Sequence, residues 1–258
     1  MNSLTIVFIT LVSILCIMAI IVAVLYATSS VSTKRVKSGD RYTVGNRQQI
    51  VPNLKFHGRF YHIKETTRES MHKLFKSVSA FLTTHGIDYW ITCGTLLGQM
   101  RHEGFIPWDD DIDIGVPRVF QQKLKDALSS QNHFRLRILD RIWKIHQKGK
   151  SFPFVDIIWE EEKQGKLCHC MPMNNMGECT WKVHDDWPKE AFAKEWIYPL
   201  KLVTFEDFQV FAPNESKLCV IQMFSENSLT EAKESRWQMR NFPHFFNHKI
   251  AATFNLEH

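Results

Sequence analysis

This chain has no internal repeat, no long low-complexity tract and no stripe of basic residues, which sets aside repeat architectures and gives no ground for a nucleic-acid partner. The formal charge of +5 over 258 residues is mild, and Lys and Arg are scattered along the chain. That balance suits anionic substrates or membrane headgroups without demanding DNA or RNA. No Cys–His or Ser–His arrangement calls for a covalent nucleophile. Charge is missing altogether between Leu4 and Ala27, where Leu, Ile and Val dominate. At about 1.5 Å per residue such a helix is long enough to cross a bilayer core.

The uncharged run is therefore expected to be a transmembrane anchor over residues 1–28. Ala27-Thr28-Ser29 resembles a signal-peptide exit, but the run is too long and lacks a basic segment before it. Residues 29–55 are polar and basic without sustained periodicity, which predicts a stem. A domain over 56–258 is expected to hold one ordinary core, since 44% of the chain is hydrophobic. Orientation is contested. Lys34, Arg35, Lys37, Arg41 and Arg47 all follow the span, which by the positive-inside rule leaves the domain in the cytoplasm. Asn214-Glu215-Ser216, an N-glycosylation acceptor pattern, points to the other side.

The apolar positions Met71, Leu74, Phe75, Val78, Phe81 and Leu82 predict a helix capped by Thr66 and stopped by Gly86. Residues 88–93 then read as a strand that delivers Gly94-Thr95 to a short helix. A second strand, Asp111–Val116, precedes a helix carrying Phe120, Leu124 and Leu128. Residues 134–139 and 141–146 form an expected hairpin, followed by an apolar strand, 152–158, with Asp156 inside it. Two short strands at 196–205 and 208–212 and a helix capped by Asn214 complete the reading. The class is α+β.

Chemistry concentrates in the acids. In a strand successive side chains alternate, so Asp111 and Asp113 share one face while Ile112 and Ile114 enter the core. Two neighbouring carboxylates are costly without a cation, and Mg²⁺ or Mn²⁺ takes one or two of them and completes its shell with phosphate and water. Asp156, flanked by Val155 and Ile157, needs a partner of its own and becomes a third ligand if its strand neighbours the first. A solvated acidic loop or a structural calcium site is the plainer alternative. Arg101 and His102 are candidates for phosphate binding or an exposed helix end, and Lys144 and His146 read as a solvated strand face. Cys168, Cys170 and Cys179, with His169 and His184 nearby, suit a structural zinc, a disulfide or free thiols.

The run Gly94-Thr95-Leu96-Leu97-Gly98, then Arg101-His102-Glu103-Gly104-Phe105-Ile106-Pro107-Trp108-Asp109-Asp110-Asp111-Ile112-Asp113, closely resembles the LicD family of bacterial phosphocholine transferases and animal fukutin-like proteins. The likeness covers about residues 87–213 and includes Val155-Asp156-Ile157. It implies a nucleotidyltransferase-like, polymerase-beta-type mixed sheet with flanking helices. In that fold a Gly-Ser/Thr turn, a D-x-D strand and a third acid form the metal site, matching Gly94-Thr95, Asp111/Asp113 and Asp156. It further implies transfer of a phospho-alcohol (ribitol phosphate, glycerol phosphate or phosphocholine) from a CDP-linked donor to a glycan hydroxyl on a glycoprotein or glycolipid. Asp111, Asp113 and Asp156 are then catalytic and metal-binding, with Gly94, Thr95, Arg101 and His102 on the substrate. The resemblance to Golgi type II membrane proteins favours a lumenal domain against the charge rule. After the last helix the family's Tyr-Gly ending is replaced by Met223-Phe224-Ser225-Glu226. A D-x-D glycosyltransferase using a nucleotide sugar, or a membrane-anchored module that only binds metal or glycan, are the competing readings.

Overall fold

The computed structural model describes residues 3–29, 31–138, 143–169, 171–172, 179–180 and 191–233. It opens with α1 (Ser3–Thr28), whose residues from Phe8 to Val24 are exposed. By length and composition this helix can cross a membrane.

The segment expected as a stem is folded. β1 (Val31–Arg35), β2 (Arg41–Val44), β3 (Arg47–Ile50), β4 (Lys55–His57) and β5 (Tyr61–Ile63) follow in order. β1 pairs antiparallel with β5, β2 with β3, and Val36, Tyr42, Val44, Val51 and Leu54 belong to the main core. The physical reason is a short period-two alternation: in β2 Tyr42 and Val44 point inward and Arg41 and Thr43 outward. Four residues are too few for periodicity to show above a basic background. Arg68 then fixes the hairpin, lying 4.9 Å over the Tyr42 ring and donating to the carbonyls of Thr43 and Ile63.

α2 (Glu65–Thr84) buries the expected stripe of Met71, Leu74, Phe75, Val78 and Leu82. Its cap is Lys64 rather than Thr66, without a side-chain bond. Gly86 closes it at φ +57°, where the Gly86 N–H reaches Thr83 O and the Ile87 N–H reaches Leu82 O. β6 (Trp90–Ile91), α3 (Cys93–His102), β7 (Asp113–Pro117), α4 (Gln121–Ser129), β8 (Phe134–Ile138), β9 (Trp143–Gln147), β10 (Phe154–Lys163) and β11 (Lys166–His169) come next. β12 (Met171–Pro172) and β13 (Cys179–Thr180) form a small pair. β14 (Ala191–Ala193), α5 (Lys194–Ile197), β15 (Lys201–Phe205), β16 (Phe208–Ala212), α6 (Ser216–Met223) and β17 (Glu231–Lys233) complete the described elements. The expected strand 196–205 is thus a helical turn followed by β15, and the cap of α6 is Glu215, without a side-chain bond, rather than the expected Asn214.

The central sheet is seven-stranded and mixed. β6 runs antiparallel to β7, β7 parallel to β10, and β10 antiparallel to both β9 and β11. β10 is long enough to pair with β9 at its start and β11 at its end. Along it Val155, Ile157 and Trp159 face the core, where Trp159 meets Trp143 edge-on at 5.0 Å. Along β7, Gly115 lies beneath Trp90, its register partner. A Cβ there would come 2.6 Å from the indole, which is completely buried.

Gly115→Ala is therefore expected to destabilise the domain by about 1–3 kcal/mol through overpacking, measured by urea unfolding. A chain begun at residue 56 should unfold at a markedly lower temperature than one begun at residue 31, because it forfeits the core side chains of β2 and its flanks. Equal melting temperatures would restore the stem.

Candidate functional site

The site forms where β6 ends and α3 begins. Thr92 closes the strand, its N–H donating to Asp113 O at 3.2 Å, and the helix starts within one residue. Gly94 is required by contact: a Cβ on it would stand 2.7 Å from Asp109 Oδ2 and 4.0 Å from Asp113 Oδ2. The N-terminus of α3 thus meets carboxylates directly, and its dipole favours negative charge there. Thr95, which is buried, accepts the Asp113 N–H on its hydroxyl oxygen at 2.8 Å. It pins the head of β7.

Asp113 opens β7, and Asp111 lies just before the strand. Ile112 and Ile114 are fully buried between them, so the expected alternation holds. Parallel pairing sets Asp156 directly beside Asp113, and the Asp156 N–H donates to Ile112 O at 2.7 Å. Two carboxylates from distant parts of the chain share one face of the sheet. Asp109 joins them from the loop. Desolvation by burial, followed by the charges of Asp111, Asp110 and Asp113, pushes its carboxyl well above the usual range. Side chains held in mutual repulsion, all hard oxygen donors, fit a divalent cation such as Mg²⁺ or Mn²⁺. Among the described residues, however, no group of three or more His, Cys, Asp or Glu is arranged as a ready metal cage. The three acids expected to converge are divided in this structure: Asp113 and Asp156 are neighbours, and Asp156 is held by another cation.

That cation is Lys144. Its Nζ donates to both carboxylate oxygens of Asp156, at 2.8 and 2.9 Å, and lies 3.6 Å from the centre of the Phe154 ring. The reading of Lys144 and His146 as a solvated face is overturned, since His146 is buried and Lys144 nearly so. Burial, then the charges of Lys144, Arg137 and Arg135, lowers His146 to about 4. A hairpin turning near Gly149 would have shown Lys144 opposite Asp156 in the sequence itself; the pairing is Asp156 with Lys144.

Arg101 feels the charge of Asp109 and is also tied, with His102, into the surrounding fold. Arg101 Nη1 donates to the carbonyls of Ser228 and Glu231, at 2.8 and 3.1 Å, and its guanidinium lies 5.3 Å from the Trp108 ring. Burial lowers it to about 10. His102 Nε2 accepts from Arg101 Nε at 3.1 Å, and burial, then the Arg101 charge, holds the imidazole neutral. Both fasten the C-terminal end of α3. Cys168 is a half-buried free thiol, Cys170 lies outside the described residues, and only the backbone of Cys179 is described.

A short strand leading into a Gly-Thr helix start, with aspartates on adjoining parallel strands, defines a nucleotidyltransferase-type domain. Residues 86–215 match the family model described as "LicD/FKTN/FKRP, nucleotidyltransferase domain", and the chain belongs to this family. It is 30% identical over 154 residues to an uncharacterised protein of Rickettsia typhi, covering 59% of this chain and 45% of that one. A 54-residue stretch is 43% identical to the lipopolysaccharide cholinephosphotransferase LicD of Haemophilus influenzae, covering 21% of this chain and 20% of that protein. Over 140 residues it is 26% identical to the human ribitol 5-phosphate transferase FKRP, covering 53% and 27%. The chain spans about half the length of its two rickettsial relatives, 45% and 54%. Among solved structures, the lincomycin-bound lincosamide adenylyltransferase LnuA superposes with a TM-score of 0.38 at 14% identity, covering 65% of this chain and 97% of that one.

Asp109 gives a pH signature. Its folded carboxyl is raised above the unfolded value, so its contribution to stability is present below the ordinary carboxylate range and is lost as pH rises through the shifted value. In EDTA, Asp109→Asn is expected to melt higher than the parent at about pH 8, with the gap closing toward about pH 4. A gap independent of pH would remove the repulsion argument.

Proposed function

We propose that this domain transfers a phospho-alcohol, such as ribitol phosphate, glycerol phosphate or phosphocholine, from a CDP-linked donor to a glycan hydroxyl on a glycoprotein or glycolipid. The observation that carries this reading is the placement of Asp113 beside Asp156 by parallel strand pairing, against the N-terminus of α3, in a chain of the LicD family. Asp111, Asp113 and Asp156 would hold Mg²⁺ or Mn²⁺, which supplies Lewis-acid polarisation of the donor diphosphate and neutralises developing charge. Thr95 fixes the backbone from which Asp113 projects, and Gly94 keeps the space in which the helix start approaches the carboxylates.

The acceptor oxygen attacks the phosphorus that carries the alcohol, and the bond from that phosphorus to the bridging oxygen breaks. CMP leaves with the bridging oxygen, and the acceptor proton would pass to a carboxylate, in this reading Asp156. A glycosyltransferase acting on a CDP-sugar would instead release CDP. Protein carrying residues 31–258, supplied with Mn²⁺ and CDP-ribitol, CDP-glycerol, CDP-choline or nucleotide sugars, is expected to release CMP from a CDP-alcohol. Asp113→Asn should lower the rate by about two orders of magnitude or more. Release of CDP or UDP would mean sugar transfer. No turnover with any acceptor would leave a binding module.

We also place the domain in the Golgi lumen behind α1. The support is Asn214, which lies at the surface before α6 with its Nδ2 donating to Glu195 O at 3.2 Å. In cells the protein should shift in mobility on glycosidase treatment, and Asn214→Gln should abolish the shift. Protection of the domain from the glycosylation machinery would favour the charge rule.

A further inference from the structure

Strand register places a row of charges across four strands of the central sheet. Arg137 of β8 pairs with Lys144 of β9, Lys144 with Asp156 of β10, and Asp156 with Asp113 of β7. Directly paired residues project from the same face, so the row reads cation, cation, acid, acid along one line. The neighbouring row adds Arg135 opposite His146, and His146 opposite Phe154. One edge of the acid site is therefore basic, with Arg137 exposed and Lys144 largely covered.

The position of Lys144 is informative. Its ammonium caps both oxygens of Asp156, the place a divalent cation would take if Asp156 became a ligand. Two cations cannot share that carboxylate without repulsion, while a lysine stem of four carbons lets Nζ move by several ångströms. A diphosphate provides the anion to which it would move. The Lys144 ammonium already rests over the Phe154 ring, a second seat for its charge beside Asp156.

We infer that Lys144 and Arg137 form the donor-diphosphate site, with Lys144 held on Asp156 when the site is empty and transferred to phosphate when donor and metal enter. This assignment rests on the phospho-alcohol reading and replaces Arg101 and His102 as the charge partners of the donor. It also makes Asp156 available only in the loaded state, so that the empty site does not present three unpaired acids.

The test is binding, not turnover. Cytidine, CMP and CDP are titrated calorimetrically with Mn²⁺ present, and Mn²⁺ is titrated alone by electron paramagnetic resonance, on the parent chain, Lys144→Met, Lys144→Arg and Arg137→Met. CDP affinity should fall about tenfold or more in Lys144→Met, the scale of a charge-assisted hydrogen bond, and several-fold in Arg137→Met. Lys144→Arg should keep most of it, cytidine should be unaffected, and Mn²⁺ alone should bind Lys144→Met at least as tightly as the parent. Melting curves check that each variant is folded, and Arg137→Met carries the assignment if Lys144→Met is not. Unchanged CDP affinity in the folded variants overturns the assignment while leaving the function standing. Weaker Mn²⁺ binding in Lys144→Met, with CDP unchanged, makes Lys144 only a support for Asp156. A parent chain that binds neither Mn²⁺ nor CDP overturns the function and the assignment together.

Discussion

Repulsion among the carboxylates at the head of β7 is the constraint on which the rest of this domain turns. Asp109, Asp110, Asp111 and Asp113 lie within one turn and strand start, and Asp156 is brought alongside by strand pairing. Each neighbour answers that charge in some way. The N-terminus of α3 meets it with partial positive charge, Thr95 secures the backbone that carries it, and Lys144 neutralises its far member. Remove the acids and the glycine at 94, the parallel pairing of β7 and β10 and the buried lysine lose their common reason. A fold that tolerates this much like charge in one place spends stability to keep it, which is the usual condition of sites that bind cations and phosphate.

Much of this was legible before the structure. The stripe on α2, the hairpin of β8 and β9 and the alternation of Ile112 and Ile114 with aspartates follow from periodicities long or strong enough to read in one sequence. What escaped was register. Lys144 looked solvated because nothing in its own strand says that a buried acid lies opposite, and the loop between β9 and β10 hides the symmetry of the turn. Residues 29–55 looked like a tether because their strands are three to five residues each and their apolar anchors are interspersed with Lys and Arg. Tertiary partners decide such segments: Tyr42 and Val44 are inside because α2 offers Arg68 and an apolar wall to cover.

Folding of the post-span segment also changes how the molecule meets a membrane. β1 begins three residues after α1 and is hydrogen-bonded to β5, so little chain separates the apolar helix from the first paired strands. If α1 spans a bilayer, the domain sits close to the surface, and the basic residues Lys34, Arg35 and Lys37 lie at that boundary.

The helix that presents Gly94 to the acids has its other end lashed to two parts of the chain far apart in sequence. Arg101 grips the carbonyls of Ser228 and Glu231, and Glu103, the residue closing α3, is paired with Arg47 of β3. A ten-residue rod anchored this way transmits strain along its axis better than it absorbs it. Sequence changes near residue 47 or residue 230 therefore need not be silent merely because they are remote: loosening either lashing lets the rod tilt, and the displacement is felt at the one point where a helix start must fit against carboxylates with no room for a methyl group.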